Sequence, residues 1–162
     1  MQQAQLILSL KTVNEDGTFE GLAAVYGNRD AGGDTIAPGA FTKSLATKSE
    51  VPVLWQHDQR EPIGVGRLMD KAEGLAISGK LVLESDVARK AYALMKAGAV
   101  KGLSIGYQIA KDAVQGGSRI LQELKLHEVS VVTFPMNAQA AILAVKEQPD
   151  TCFARELLPY LG

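Results

Sequence analysis

The feature that most constrains the fold is a succession of short apolar segments, rich in β-forming residues, that are separated by turn residues. NEDG at 14–17 contains Asp-Gly and VQGGS at 114–118 contains two glycines, so both stretches indicate hairpin turns. The predicted strands cover 4–13, 18–26, 51–56, 63–70, 74–83, 100–110, 118–126 and 128–134. This pattern predicts a mainly β fold of about seven strands, closed as a barrel or a sandwich, with flanking helices.

One segment has a clear helical pattern. Ser85 is a good N-cap and Gly98 stands where a helix-ending glycine belongs, so a helix is predicted between them. Its apolar face is formed by Val87, Ala91, Leu94 and Met95. The Gly- and Asp-rich stretch 27–40 predicts a loop, near whose end Pro38 begins a second, short helix. A short amphipathic pattern also lies in FARELLPYL at 153–161.

Composition bounds the class of protein. The chain has 162 residues, of which 46% are apolar and 22% are charged, and this predicts a single globular domain over 1–162. A net charge of −1 provides no electrostatic footprint for nucleic acid. The single cysteine, Cys152, excludes an internal disulfide and fits a reducing compartment. The N-terminus shows no signal peptide, and no stretch approaches the ~20 apolar residues of a membrane span.

A catalytic mechanism based on histidine has only two candidates in this chain, His57 and His127. His57 follows an apolar strand in LWQHD, at a strand end where the scaffold fixes the side chain while its tip stays accessible. A half-exposed histidine capped by Asp58, without a catalytic role, is the alternative interpretation.

Ser104 lies in GLSIGY, where it alternates with Gly102 and Gly106. Residues two apart share a face of a strand, so Ser104 is predicted to have no side chains beside it on its own face. A hydroxyl flanked by bare backbone suits attack on a bulky polymer substrate. The alternative is a tight barrel corner, where small residues allow close packing of strands.

A serine nucleophile needs a base, and the base needs a third group that orients it. The candidates for this third group are His127 and Glu128 in LHEVSVV, which are predicted to point to opposite faces of their strand. Glu128 is the better electrostatic partner for an imidazolium, whereas His127 would orient the base by hydrogen bonding alone.

Other patterns of functional residues are weaker. Asp30 and Asp34 in NRDAGGD do not have the spacing of an EF-hand and predict a solvated Asx-turn. His57, Asp58 and His127 lack the spacing of a known zinc motif. We therefore expect neither a metal nor another cofactor. The G-x-S-x-G match at 102–106 lies on a strand, outside the strand–turn–helix context of a nucleophile elbow.

Four blocks of the chain resemble the HK97-type prohead proteases of tailed phages, which are similar in fold to the herpesvirus assembly proteases. The blocks are GLAAVYGNRDAGGDTIAPGAFTKSL (21–45), VPVLWQHDQREPIGVGRL (51–68), KAGAVKGLSIGY (96–107) and EVSVVTFPMNAQA (128–140). They occur in the order of the family and span nearly the whole chain, so their combination is specific. The resemblance implies a closed antiparallel β-barrel like that of the herpesvirus proteases.

The resemblance also implies a serine endopeptidase. In this interpretation Ser104 is the nucleophile, His57 the general base and Glu128 the acidic third member. The herpesvirus relatives have a histidine in the third position, so His127 stays an alternative. The loop at Met136 and Asn137 is implied to supply an amide to the oxyanion hole.

The biological role implied by the resemblance is capsid maturation inside the procapsid, in the host-cell cytoplasm. The implied substrates are a scaffold protein or the scaffold segment of the major capsid protein, and the protease itself. The resemblance further implies a dimer or larger homo-oligomer, with no nucleic-acid or membrane partner. Because relatives often carry a C-terminal extension, a chain ending at Gly162 is expected to be a trimmed or mature form.

Two other functions compete with this one. The first is a catalytically inactive structural or scaffold protein of the procapsid with the same fold. The second is a metal-dependent hydrolase. The presence of His57, Ser104 and Glu128 together favours the protease, because a decayed enzyme is free to lose any of them.

Overall fold

A computed structural model describes residues 16–145 of the chain and contains eight strands and two helices in that range. The strands are β1 (Thr18–Val25), β2 (Asp34–Ile36), β3 (Glu50–Trp55), β4 (Asp58–Asp70), β5 (Gly74–Leu81), β6 (Gly102–Gln115), β7 (Ser118–Val132) and β8 (Ala141–Val145). The helices are α1 (Thr42–Thr47) and α2 (Asp86–Lys96).

Seven of the strands form a closed ring in the order β7-β3-β4-β5-β1-β8-β6, and β6 pairs again with β7. The short β2 adds to β7 from outside the ring. This ring confirms the predicted barrel. All of its pairings are antiparallel except β3 with β7, which is parallel. An odd number of strands cannot alternate in direction around a closed ring, so the barrel is mixed rather than purely antiparallel.

The interior of the barrel is filled by side chains that alternate along the strands with outward-facing residues. Fully buried apolar residues come from the whole length of the described chain: Phe19, Phe41, Val53, Ile63, Leu75, Leu103, Leu121 and Val129. Each such side chain contributes about 1.5–3 kcal/mol of burial free energy. The barrel is therefore a packed core, which holds the strand ends and turns in fixed positions.

The helix predicted between Ser85 and Gly98 is present as α2. The Ser85 hydroxyl accepts a hydrogen bond from the Ala88 backbone N–H, and Gly98 takes a positive φ of 74° just beyond the helix. The short helix predicted from Pro38 begins later, at Thr42, because Gly39 adopts a φ of 88° that interrupts a helical turn.

The strand predictions were right for the barrel and wrong at several boundaries. The segments 118–126 and 128–134 form one continuous strand, β7, because a bulge rather than a turn lies between them. The polar stretch after His57 is the exposed start of β4, so this strand begins at Asp58 rather than at residue 63 as predicted. Neither β2 nor β8 was predicted. The predicted strand 4–13 and the C-terminal pattern 153–161 lie outside the described residues.

Candidate active site

The candidate residues converge where β7 lies between β3 and β6. Trp55 at the end of β3 is in register with Val131, and Ser104 on β6 is directly opposite Ser130. Because directly opposed residues share a face of a sheet, the Ser104 and Ser130 hydroxyls lie on the same side. The turn that follows Trp55 carries His57 toward this side of β7.

His57 occupies a strained backbone position. Gln56 and His57 form the tight turn between β3 and β4, and both have positive φ values, 54° and 62°. Such turns favour Asn-Gly because other residues in the left-handed region lose roughly 1–2 kcal/mol each. Contacts with the strand end of β7 hold the turn: the Gln56 backbone N–H donates to the Val131 carbonyl at 3.0 Å, and its side-chain amide donates to Thr133 at 2.8 Å.

The imidazole of His57 is bound by Glu128. Its Nδ1 lies 2.7 Å from Oε1 of Glu128, whose side chain is only 13% exposed, whereas the His57 side chain is 44% exposed. The other carboxylate oxygen, Oε2, accepts a hydrogen bond from the Ser130 hydroxyl at 2.7 Å. A carboxylate at Nδ1 selects the tautomer with the proton on Nδ1, which leaves Nε2 with its lone pair free to accept a proton.

Ser104 and His57 line one cavity of about 140 Å³, together with Met136 and Asn137. Ser104 is 9% exposed, and this cavity gives access to it. Within residues 16–145 the Ser104 hydroxyl makes no hydrogen bond with His57. Catalytic hydrogen bonds are often long in a free enzyme and shorten when substrate binds.

The two glycines that flank Ser104 make room for other groups. A Cβ atom on Gly106 would lie 2.3 Å from Oε1 of Glu128, and one on Gly102 would lie 2.6 Å from Cδ of Pro135. The prediction that bare backbone surrounds Ser104 was therefore wrong. The face is occupied by a carboxylate and a proline ring that reach over from β7 and the segment after it.

His127 lies away from this site. Gly106 pairs with Glu128 and Tyr107 pairs with Leu126, so His127 is the extra residue of a β-bulge in the β6–β7 ladder. The core residues of β7 nearest the bulge change from even to odd numbers across it, from Leu124 and Leu126 to Val129 and Val131. Both His127 and Glu128 therefore lie off the core face. Glu128 reaches His57, whereas His127 is exposed and lines a larger groove of about 450 Å³ beside α1.

The loop after β7 is tied to the loop before β2. The Met136 carbonyl accepts a hydrogen bond from the Ala31 N–H at 2.9 Å, and the side-chain amides of Asn137 and Asn28 bond reciprocally at 3.0 and 3.1 Å. Among residues 16–145, the backbone N–H groups of Met136 and Asn137 have no hydrogen-bond acceptor. Both residues line the cavity that contains Ser104.

Two further groups define the electrostatics of the site. Asp58 does not cap His57; it binds Arg60, whose hydrogen bonds hold the pKa of the Asp58 carboxyl below its usual value. Burial raises the pKa of Tyr107, and the nearby Asp30 and Asp34 carboxylates raise it further. The Tyr107 phenol in the cavity wall is therefore neutral at physiological pH.

The Asp30–Asp34 segment is partly as predicted. Oδ1 of Asp30 accepts hydrogen bonds from the N–H groups of Gly32 and Asp34, both at 2.9 Å, which is an Asx-type turn. Asp34, however, is buried and binds Arg119 through two hydrogen bonds of 2.8 Å. In the described part of the chain, no three His, Cys, Asp or Glu side chains are grouped so that they could hold a metal ion.

Ser130 was missed by the sequence analysis. It is completely buried, and its hydroxyl bonds both to Glu128 and to the His57 backbone N–H, the latter at 3.1 Å. A serine among valines in EVSVV was a signal for a buried polar role, but only the strand register shows which groups it meets.

Two solved viral proteases share this fold: the KSHV protease in complex with a hexapeptide phosphonate inhibitor and the varicella-zoster virus protease. The KSHV structure gives a TM-score of 0.55 at 14% identity and covers 77% of this chain and 63% of its own. The varicella-zoster structure gives 0.50 at 12% identity, with 77% and 62% covered. The architecture is therefore the herpesvirus-protease barrel, as predicted.

The family follows from sequence. A model described as caudovirus prohead serine protease matches residues 6–153, and the chain therefore belongs to that family. The prohead protease of Enterobacteria phage HK97 is 36% identical over 138 residues, which cover 82% of this chain. The prohead protease of Escherichia phage T5 is 29% identical over 148 residues, covering 85% of this chain and 69% of the relative.

Some relatives are longer than the matched region. The match covers 61% of the HK97 protein. A capsid polyprotein of Pseudomonas phage PAJU2 is 34% identical over 122 residues, which are 70% of this chain and 18% of that protein.

In the described residues no helix is long and apolar enough to cross a membrane.

Proposed function

We propose that this chain is a serine endopeptidase, folded as one protease domain, in which Ser104 is the nucleophile, His57 the general base and Glu128 the residue that orients His57. The observation that carries the proposal is the 2.7 Å contact between Nδ1 of His57 and Oε1 of Glu128, at the edge of the cavity that Ser104 lines. A bound Nδ1 leaves Nε2 as the basic nitrogen beside this cavity. Membership of a serine protease family supports the same roles.

In the first half of the reaction, the oxygen of the Ser104 hydroxyl attacks the scissile carbonyl carbon while Nε2 of His57 takes the hydroxyl proton. The resulting imidazolium is stabilised by the Glu128 carboxylate at its other nitrogen. The C–N bond then breaks, His57 returns the proton to the leaving amine, and an ester forms between Ser104 and the acyl part of the substrate.

In the second half, His57 removes a proton from a water molecule, which attacks the ester. The Ser104 oxygen leaves, takes the proton back from His57, and the carboxylic acid product is released. In both halves the substrate carbonyl oxygen becomes negatively charged. The free N–H groups of Met136 and Asn137 are proposed to donate to it.

The proposed substrates are a scaffold protein, or the scaffold segment of the major capsid protein, and the protease itself. The names of the HK97 and T5 relatives, and the match to a capsid polyprotein, support a capsid-linked substrate. Cleavage would take place inside the procapsid, in the cytoplasm of the host cell. A homo-oligomer, dimeric or larger, is part of this proposal because of the likeness to the herpesvirus proteases.

Co-expression with the proposed substrate, the major capsid protein, tests the proposal. The intact masses of both proteins are measured for the wild type, for Ser104→Ala and for Ser78→Ala, which changes an exposed serine on β5. Wild type and Ser78→Ala are expected to shorten the capsid protein. Ser104→Ala is expected to lower cleavage on the order of 10⁶-fold, which is below detection.

Two other results of this experiment would contradict the proposal. Cleavage by Ser104→Ala would exclude Ser104 as the nucleophile. Full-length capsid protein in every sample, together with no labelling of the wild type by a fluorophosphonate, would favour an inactive structural protein of the procapsid.

A further inference from the structure

Ser130 connects the two groups that the proposed mechanism needs in fixed positions. Its hydroxyl donates to Oε2 of Glu128 at 2.7 Å and accepts from the His57 backbone N–H at 3.1 Å. The Glu128 carboxylate in turn meets Nδ1 of His57 through Oε1. The three residues therefore form a closed ring of hydrogen bonds, with Ser130 at its buried end.

We infer that Ser130 is a positioning residue, which acts on His57 through Glu128 and through the His57 backbone. This inference rests on the proposed protease function. It assigns Ser130 no contact with substrate.

The hydrogen-bonding capacity of a hydroxyl explains why one residue serves both partners. A serine has one proton to donate and two lone pairs that accept. Because the His57 N–H can only donate, the Ser130 oxygen must accept from it, and its own proton is then directed to Glu128. The direction of both bonds is therefore fixed without any choice of tautomer.

The backbone of His57 makes the second bond important. His57 has a φ of 62°, a conformation that histidine adopts only when surrounding contacts hold it. The Ser130 hydroxyl supplies one of those contacts from a fully buried position. Loss of the hydroxyl would remove one of the contacts that hold the turn and would also leave one carboxylate oxygen of Glu128 without its partner.

Ser130 is buried but does not belong to the apolar core. Its neighbours Val129 and Val131 point into the core and are fully buried. An alanine at position 130 would fill nearly the same space on the opposite face. The hydroxyl therefore contributes its hydrogen bonds and little else.

Ser130→Ala tests the inference through the rate at which a fluorophosphonate probe labels Ser104 in the full chain. This rate reports the nucleophilicity of Ser104 and needs no peptide substrate. We expect labelling to slow by about 10- to 100-fold, since misplacing a catalytic base by about 1 Å lowers the reaction rate by that factor.

Ile77→Val is the control for lost stability, because Ile77 is buried on β5 outside the cavity. Its labelling rate is expected to stay within about twofold of the wild type, even where its melting temperature falls as far as that of Ser130→Ala.

The Glu128→Gln background separates a positioning role from an independent one. If Ser130 acts through Glu128, adding Ser130→Ala to Glu128→Gln slows labelling by no more than about threefold. The same 10- to 100-fold loss in both backgrounds would overturn the action through Glu128 and leave only the contact with the His57 backbone, whereas wild-type labelling by Ser130→Ala would overturn both. Should Ser130→Ala fail to fold, Ser130→Cys keeps the shape with a much weaker donor and is expected to slow labelling in the same direction.

A second readout does not depend on activity. In protein with ¹⁵N-labelled histidine, the Nδ1 proton of His57 is expected to give a protected NMR signal, which disappears in His57→Gln and in Ser130→Ala but persists in Ile77→Val. Persistence in Ser130→Ala would overturn the positioning role. A wild type that shows this signal but is never labelled would refute the protease proposal while leaving the ring intact.

Discussion

Two carboxylates near β7 are each held by two hydrogen bonds, and they differ in the kind of partner. Asp34 binds the guanidinium of Arg119 with both oxygens, at 2.8 Å each. Glu128 binds the His57 imidazole with one oxygen and the Ser130 hydroxyl with the other. Arginine carries its charge under all conditions, whereas an imidazole gains one only when it takes a proton.

This difference separates a structural carboxylate from one suited to catalysis. The Asp34–Arg119 pair has its full electrostatic stabilisation in the resting protein and ties the start of β2 to β7. Glu128 has a neutral partner at rest in the proposed mechanism, so its charge stabilises most strongly the imidazolium that appears during the reaction. Only an interaction that strengthens in the transition state accelerates a reaction.

The largest effect is expected from Glu128→Gln compared with His127→Gln. Glu128→Gln removes the charge that faces the His57 imidazolium and should slow fluorophosphonate labelling of Ser104 by about 10²- to 10⁴-fold. His127 is the extra residue of the bulge and lines a different groove, so His127→Gln should leave the rate nearly unchanged. The reverse order of the two effects would assign the orienting role to His127.

The next largest effect on labelling is expected from Gly106→Ala. A Cβ atom at Gly106 or at Gly79 would come equally close to its nearest neighbour, but the two neighbours differ. A Cβ on Gly106 would lie 2.3 Å from the Glu128 carboxylate, and a Cβ on Gly79 would lie 2.3 Å from the ring of Phe19. The carboxylate ends a flexible side chain and is able to move, whereas Phe19 is fully buried in the core. We expect Gly106→Ala to slow labelling by about 10- to 100-fold with little change in melting temperature.

Gly79→Ala should show the opposite pattern. Overpacking of the core should lower the free energy of unfolding by about 1–3 kcal/mol, while the folded fraction keeps its labelling rate. Labelling rates and thermal melts of both variants, measured together, test this contrast. Equal loss of stability in the two variants would show that Glu128 is unable to yield to the added methyl group.

The parts of the fold that were predictable carry their own local signals. The β6–β7 hairpin has Gly116 and Gly117 at its turn, and α2 has a serine cap and a terminal glycine. The strand β2 and the parallel β3–β7 pairing carry no such signal, because each depends on segments that are distant in the chain. The bulge at His127 was equally hidden, and it determines which of two adjacent side chains faces His57.

The candidate site also has residues that were predictable from the sequence and residues that were not. His57 and Ser104 were identifiable because histidines are scarce in this chain and a serine between glycines is unusual in a strand. The purpose of those glycines was not identifiable, because it depends on Glu128 and Pro135 reaching across from another segment. Ser130 belongs to the same class: its role follows from the register that sets it opposite Ser104.

The smallest effect on labelling is expected from Asp34→Asn, which removes the structural carboxylate of the comparison. The Asp34 side chain is 11% exposed and its two charged hydrogen bonds would be weakened, so the free energy of unfolding should fall by about 1–3 kcal/mol. Asp112 approaches the same guanidinium only at 3.9 Å and is more exposed, so Asp112→Asn should change stability by no more than about 0.5 kcal/mol. Labelling of Ser104 in the folded protein should change little in either variant.

The stability that Asp34 contributes is expected to depend on pH. Hydrogen bonds from Arg119 hold the pKa of Asp34 in the folded protein below its ordinary value of 3.8. A lowered folded pKa means that Asp34 stabilises the protein fully above the ordinary value and loses this contribution as pH falls through the folded value. The stability difference between wild type and Asp34→Asn, from denaturant unfolding, should therefore be constant from pH 7 to about pH 5 and shrink below about pH 4. A stability difference that stays constant down to pH 2 would contradict the structural role of the Asp34 carboxylate. A labelling defect of Asp34→Asn as large as that of Glu128→Gln would show that Asp34, too, is needed for catalysis.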